Sequence, residues 1–175
     1  MKFTRLAIPG LMLIEPRLYE DERGAFHESF NEREFFAATG LGIHFVQDNH
    51  SVSRRGVLRG LHFQAAPHAQ GKLVRVVRGA AFDVAVDIRE DSATSGQWVS
   101  TTLTAGNRKQ LWIPAGFAHG FQALEDGTEV LYKTTDFYDT ASERVIRWDD
   151  PELDIGWPIA EPLLSAKDQT PPIQN

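Results

Sequence analysis

Phe82-Asp83-Val84-Ala85-Val86-Asp87-Ile88-Arg89 alternates large apolar residues at Phe82, Val84, Val86 and Ile88 with smaller or polar ones, the period-two pattern of an extended strand. Upstream, Lys72-Leu73-Val74-Arg75-Val76-Val77 reads as another strand, and Arg78-Gly79 between the two predicts a hairpin. Turn signals follow at Ser95-Gly96, Ala105-Gly106-Asn107, Pro114-Ala115-Gly116 and Glu125-Asp126-Gly127, spaced roughly every ten residues. That spacing predicts an all-β, antiparallel sandwich or barrel.

Toward the N-terminus, Leu6–Ile14 is apolar but broken by Pro9-Gly10, runs into Glu15 and lacks a small-x-small cleavage pattern. It reads as two short strands around a turn, not as a signal segment. Asp21-Glu22-Arg23-Gly24 is a turn leading into a strand at Ala25–Phe30. Then the period changes: Asn31 can cap a helix, Glu34 stands where a capping box places it, Phe35 and Phe36 supply an apolar face, and Gly40 ends it. At the other end, the proline-rich tail from Pro151 is expected to wrap the barrel, with Ser165-Ala166-Lys167-Asp168 returning toward the site and Thr170-Pro171-Pro172 fraying.

With 175 residues the chain suits one domain, residues 1–175, with a single core. Its net charge of -6, from 24 acidic against 18 basic residues, opposes a nucleic-acid partner. An anionic ligand would have to be met by local Arg and Lys. The absence of cysteine removes disulfides, thiolate metal sites and cysteine nucleophiles. No run approaches the length of a membrane span, so the expected location is the cytoplasm.

The chemistry concentrates in Arg59-Gly60-Leu61-His62-Phe63-Gln64 and Pro114-Ala115-Gly116-Phe117-Ala118-His119. In an extended chain His62 and Gln64 share one face. Tyr132 and Asp168, further along, complete a set of base, acid and orienting carboxylate. Lys72 is a candidate for stabilising a developing oxyanion, or else a solvated strand-start lysine. Tyr132 shares a face with Val130 and Thr134, so it is either an acid or a core tyrosine. Arg59 has the wrong strand parity to join His62 unless Gly60 bulges the strand.

The Pro114-x-Gly116-x-x-His119 run looks like the second signature of the cupin jelly roll. A metal site in that fold needs a second histidine where this chain has Gln64, a poor ligand for most divalent ions. No metal is therefore expected, and the Asp87, Glu90 and Asp91 cluster reads as a solvated strand end. What remains fits proton removal beside a ketone, with no glycine-rich dinucleotide motif and no redox cofactor.

Together with Gly71-Lys72-Leu73-Val74-Arg75, Ile113–Phe121 and Trp148-Asp149-Asp150-Pro151, these motifs resemble the dTDP-4-dehydrorhamnose 3,5-epimerase family along nearly the whole chain. The resemblance implies a homodimeric, metal-free, cupin-like jelly roll with a few short peripheral helices. It implies inversion at C3 and C5 of a dTDP-4-keto-6-deoxyhexose, with His62 as base, Asp168 as its orienting partner, Tyr132 as acid and Lys72 near the enolate oxygen. It places Arg23, Phe26, Glu28, the run Gln47-Asp48-Asn49, Arg59 and His119 around the substrate. Glu143 and Lys167 are then at the edges, and Tyr138 is a further pocket tyrosine. A relative acting at C3 alone would share almost all of these residues. A metal-dependent cupin oxygenase and a non-catalytic sugar-nucleotide binder are the alternatives from other classes.

Overall fold

The computed structural model describes residues 1–169, so Thr170-Pro171-Pro172 lies outside the described residues. In chain order its elements are β1 (Lys2–Arg5), β2 (Met12–Glu15), β3 (Tyr19–Asp21), β4 (Gly24–Phe26), α1 (Glu32–Thr39), β5 (Gln47–Ser53), β6 (Leu58–Gln64), β7 (Lys72–Arg78), β8 (Ala80–Asp87), β9 (Trp98–Thr104), β10 (Gln110–Ile113), β11 (Phe117–Ala123), β12 (Thr128–Thr134), β13 (Glu143–Val145) and α2 (Ala166–Gln169). Two antiparallel sheets face each other as a jelly roll, one ordered β1-β2-β10-β7-β12-β5 and the other β13-β6-β11-β8-β9. The β3–β4 hairpin pairs only with itself.

The expected hairpin across Arg78-Gly79 does not form. β7 pairs with β10 and β12, whereas β8 pairs with β11 and β9 in the opposite sheet. Gly79, at φ +72°, carries the chain from one sheet to the other, and a Cβ there would stand 2.7 Å from Thr128 Oγ1. Turn chemistry alone does not distinguish a hairpin from such a corner, because both need the left-handed conformation.

Both faces of β8 are buried, so its alternation does not separate wet from dry. Val84 and Val86, with Phe82 and Ile88 packed beside them, meet Leu153, Ile155 and Trp157 of the tail. Ala81 and Ala85 face the space between the sheets, against Val74, Val76, Leu111, Phe121 and Val130. Burying each such valine or leucine is worth about 1.5–3 kcal/mol. Asp83 and Asp87 lie on this inner side, both fully buried.

Asp87 corrects the solvated-end expectation, although its neighbours Glu90 and Asp91 are exposed. Its carboxylate accepts from Arg89 Nε at 2.8 Å, Arg89 Nη2 at 2.7 Å, and Ser92 Oγ and Thr94 Oγ1 at 2.6 Å each. Burial opposes ionisation there, but the Arg89 fork and the two hydroxyls outweigh it and hold the carboxyl well below its usual range.

The helix forms where its caps predict. The Asn31 side chain accepts from Glu34 N, and Gly40 closes the last turn in the left-handed conformation. Glu34 does not complete a reciprocal capping box, because its carboxylate instead accepts from the Met1 ammonium at 2.8 Å. Phe35 is buried against Trp112 and Leu73 on the outer face of the first sheet, while Phe36 faces solvent. The strand expected over Ala25–Phe30 ends at Phe26.

The tail crosses the second sheet by hydrogen bonds that need no regular structure. Gln122 and Ile159 exchange two, Trp98 Nε1 donates to Leu153 O, and Leu163 pairs with Gly56 and Leu58. The chain then turns back through Ser165 into α2, which delivers Asp168, 3% exposed, beneath His62.

Candidate active site

A cavity of about 370 Å³ opens between the sheets, lined on one side by β6 and β11 and on the other by β5, β7 and β12. His62 points into it from β6. Its Nε2 lies 2.6 Å from Asp168 Oδ1, and Ser165 Oγ donates to Asp168 Oδ2 at 2.8 Å. Burial raises the Asp168 carboxyl, but the His62 hydrogen bond and charge, with help from Ser165 and Lys167, bring it below its ordinary value. An ionised carboxylate only accepts, so the neutral ring carries its proton on Nε2, which orients it and turns the Nδ1 lone pair away from Asp168. That arrangement can accept a proton at Nδ1.

His119 stands opposite His62 in the β11–β6 register. Its Nε2 lies 3.0 and 3.1 Å from the two oxygens of Asp83, and the pair is buried. Asp83 is the principal residue that sequence reasoning missed. A polar residue alternating with valines looks like the wet side of a strand, and only the second sheet makes that side an interior.

The parity conflict at Arg59 is resolved by a bulge. Between the pairs His119↔His62 and Phe121↔Arg59, β11 advances two residues and β6 three. Gly60, at φ +141°, sits against Gly120, and a Cβ would approach Gly120 Cα to 2.4 Å. The extra residue turns Arg59 onto the face of His62, so both line the cavity.

On the facing wall, alternation along β5 and β12 directs Gln47, Asn49, Ser51 and Tyr132 inward. Lys72, at the start of β7, is buried rather than solvated, and its ammonium donates to His62 O at 3.1 Å. Burial lowers the Lys72 pKa to about 8, partly countered by the charges of Asp83 and Glu143. The Tyr132 hydroxyl has no hydrogen-bond partner among the described residues, which sets aside the satisfied core tyrosine. Burial raises its pKa against the opposing charge of Arg59, so the phenol holds its proton and can donate it.

The mouth is closed by polar clips. Tyr138 donates to Glu143 Oε2 at 3.0 Å and Lys167 donates to Glu143 Oε1; burial raises Glu143, but these hydrogen bonds hold it below its ordinary value. Gln64 donates to His68 O and Phe137 O and accepts from Asp139 N, so its amide ties two loops together. Among the described residues no group of three or more His, Asp or Glu is placed to hold a metal ion. Gln70, Phe63 and Phe121 also line the cavity without a signal that set them apart in the sequence, as does Ser165, from the segment expected to return toward the site.

Four of the expected residues do not reach this cavity within the chain. Asp48 alternates to the outer face and pairs with Lys133 at 2.9 Å. Arg23 lies on the exposed β3–β4 hairpin, forked onto Asp21, and Phe26 on the same hairpin is 66% exposed. Glu28 accepts from Asn31 Nδ2 on the surface.

Over residues 5–175 the chain matches the family described as dTDP-4-dehydrorhamnose 3,5-epimerase. It is 59% identical over 170 residues to the dTDP-4-dehydrorhamnose 3,5-epimerase of Pseudomonas aeruginosa, covering 97% of this chain and 93% of that one. The crystal structure of the Elizabethkingia anophelis enzyme of the same name superposes with a TM-score of 0.93 at 47% identity, covering 97% and 93% of the two chains. The dTDP-6-deoxy-D-glucose-3,5-epimerase of Legionella pneumophila, solved in complex with dTDP-4-keto-L-rhamnose, gives 0.92 at 48% identity, covering 96% and 89%.

Proposed function

This chain belongs to the dTDP-4-dehydrorhamnose 3,5-epimerase family, and on that premise we propose that it inverts C3 and C5 of dTDP-4-dehydro-6-deoxy-D-glucose through the residues of the pocket between its sheets. Both carbons flank the C4 ketone, so one enolate-forming apparatus serves twice. His62 Nδ1 takes the proton, and Asp168 stabilises the imidazolium that forms. Lys72 and His119, the latter oriented by Asp83, meet the negative charge that gathers on the ketone oxygen. Tyr132 supplies a proton to the other face of the carbon. Arg59 holds the diphosphate and Tyr138 offers a ring at the mouth to the base. The observation that carries this reading is the placement of His62 with Asp168 and of Tyr132 on opposite sheets facing one cavity. Inversion needs a donor and an acceptor on opposite faces of one carbon. Incubation with the keto sugar in deuterium oxide tests it: the expected product carries deuterium and inverted configuration at both C3 and C5. Inversion at C3 alone would assign the chain to a mono-epimerase instead.

The working unit is a homodimer in this reading, located in the cytoplasm with its nucleotide-sugar substrate. Arg23 and Phe26 stand on a hairpin paired with no other strand and Glu28 lies just beyond it, which suits a segment reaching a second copy's pocket. Mixing inactive Arg23→Ala and His62→Ala proteins under exchange conditions then restores activity in mixed dimers, because one site regains both residues. No recovery in verified mixed dimers would refute the shared site.

A further inference from the structure

Gln64 lies one alternation beyond His62 on the inner face of β6, buried in the cavity wall, yet the proton chemistry makes no use of it. Its side-chain hydrogen bonds all go to the backbone of neighbouring loops. Nε2 donates to His68 O at 2.7 Å and to Phe137 O at 3.1 Å, and Oε1 accepts from Asp139 N at 2.9 Å. Both amide protons are engaged within the protein.

Phe137 and Asp139 flank Tyr138. The Phe137 carbonyl belongs to the peptide plane before the Tyr138 Cα and the Asp139 N–H to the plane after it, so one side chain fixes both planes. Tyr138 N, on the first of those planes, donates to Gln47 Oε1 at 3.0 Å, and the Tyr138 hydroxyl donates to Glu143 Oε2 at 3.0 Å. Glu143 in turn stands opposite Gln64 in the β13–β6 register. Regular structure adds nothing to this hold: the segment between β12 and β13 belongs to no helix or strand, and Phe137 and Tyr138 are each more than half exposed. Loops of this kind open locally at small free-energy cost unless a buried group ties them down.

We propose that Gln64 is a positioning residue that sets Tyr138 at the cavity mouth, so that the base of the nucleotide sugar meets a ring already in place. The proposal rests on the nucleotide-sugar reading of the pocket. Gln64 acts through Tyr138 and not on the ligand: it removes the ordering of the loop that binding would otherwise require. The base is separated from the reacting hexose by the ribose and the diphosphate, so this contribution is common to ground and transition states.

The test is a double-mutant cycle between Gln64→Met and Tyr138→Ala, read by calorimetric affinity for dTDP, which carries the base and no hexose. Methionine nearly keeps the volume of glutamine and removes its hydrogen bonds to both loops. Gln64→Met alone should weaken dTDP binding about ten-fold, the scale of re-ordering a loop residue and its side chain. In the Tyr138→Ala background the same substitution should change affinity by less than about two-fold, because no ring is left to position. In turnover, KM should rise with kcat little changed. An equal loss in both backgrounds would overturn the proposal, since Gln64 would then meet the ligand or shape the cavity independently of the ring. Unchanged dTDP affinity, or a fall in kcat with KM unmoved, would overturn it too. Should Gln64→Met fail to fold, Gln64→Glu runs the same cycle, keeping an acceptor for Asp139 N while removing both donors; if neither variant folds, Gln64 is a core residue and the proposal fails. Should the wild-type protein itself fail to bind dTDP, the nucleotide-sugar reading falls, and this proposal with it.

Discussion

On the wall built from β6, β8 and β11, each histidine has its carboxylate: His62 has Asp168 at 2.6 Å, and His119 has Asp83 at 3.0 Å. On the facing wall, the Ser51 hydroxyl has no partner among the described residues, and no hydrogen bond acts on the Tyr132 hydroxyl. Lys72 leaves that wall to reach the backbone of His62, and Arg59 reaches back from the first wall to Ser53. On the first wall the two histidines are held in set orientations by buried carboxylates. On the other, Gln47 and Asn49 engage each other, while the Tyr132 and Ser51 hydroxyls stay unclaimed. The division suits the proposed chemistry, in which a base is positioned before substrate arrives, whereas a proton donor and binding hydroxyls are useful only if nothing in the protein has claimed them.

The contrast is broken most severely on the satisfied wall. His62→Ala removes the proposed base from a partly buried position, so a folded variant should lose about 10²–10⁴-fold in kcat or more. A folded variant with near wild-type turnover would move the base elsewhere. Asp168→Asn keeps a polar side chain under the ring but withdraws the charge that favours the imidazolium. Its rate should fall by roughly 10–10²-fold with little change in KM. An unchanged rate would separate Asp168 from the base.

A smaller effect sharpens the role of the bridging lysine. Lys72 is lowered to about 8; it is charged below that pH and neutral above it. If its ammonium meets the enolate charge, kcat declines as pH rises through about 8. Tyr132, shifted upward, keeps its proton in that window and does not contribute to the decline. A profile that stays flat from about 7 to about 10 would exclude Lys72 from the chemistry.

How far these walls were legible in the sequence depended on whether the determining contact was local. The caps of α1 and the turns at Gly96, Gly116 and Gly127 depend on neighbours in the chain and could be read. The β7–β8 connection could not, since Gly79 serves a corner as well as a hairpin and the choice is made by Thr128, 49 residues on. The bulge at Gly60 that turns Arg59 inward could be raised from strand parity but not decided, because it answers to Gly120 across the sheet. His62, His119, Tyr132 and Asp168 stood out because their residue types carry proton chemistry and their motifs resemble a known family. Asp83, Ser51 and Ser165 did not, because a polar residue in a strand or turn is ordinary until a second sheet or the tail buries it. Arg23, Phe26 and Glu28 match the family pattern, yet they lie outside this chain's own pocket; the proposed shared site gives them a role only through a second copy.

The central claim is that the two walls act on opposite faces of one carbon, and Tyr132→Phe tests it most directly. This substitution keeps the ring and deletes only the unpaired hydroxyl, while base, carboxylate and lysine are untouched. With keto sugar in deuterium oxide, the variant should still form the enolate and return a deuteron from the imidazolium to the face it left. Recovered substrate should therefore contain deuterium at C3, C5 or both, with little epimerised product. Normal inversion by Tyr132→Phe would contradict the account and place the acid elsewhere, with Tyr138 or a water next in line.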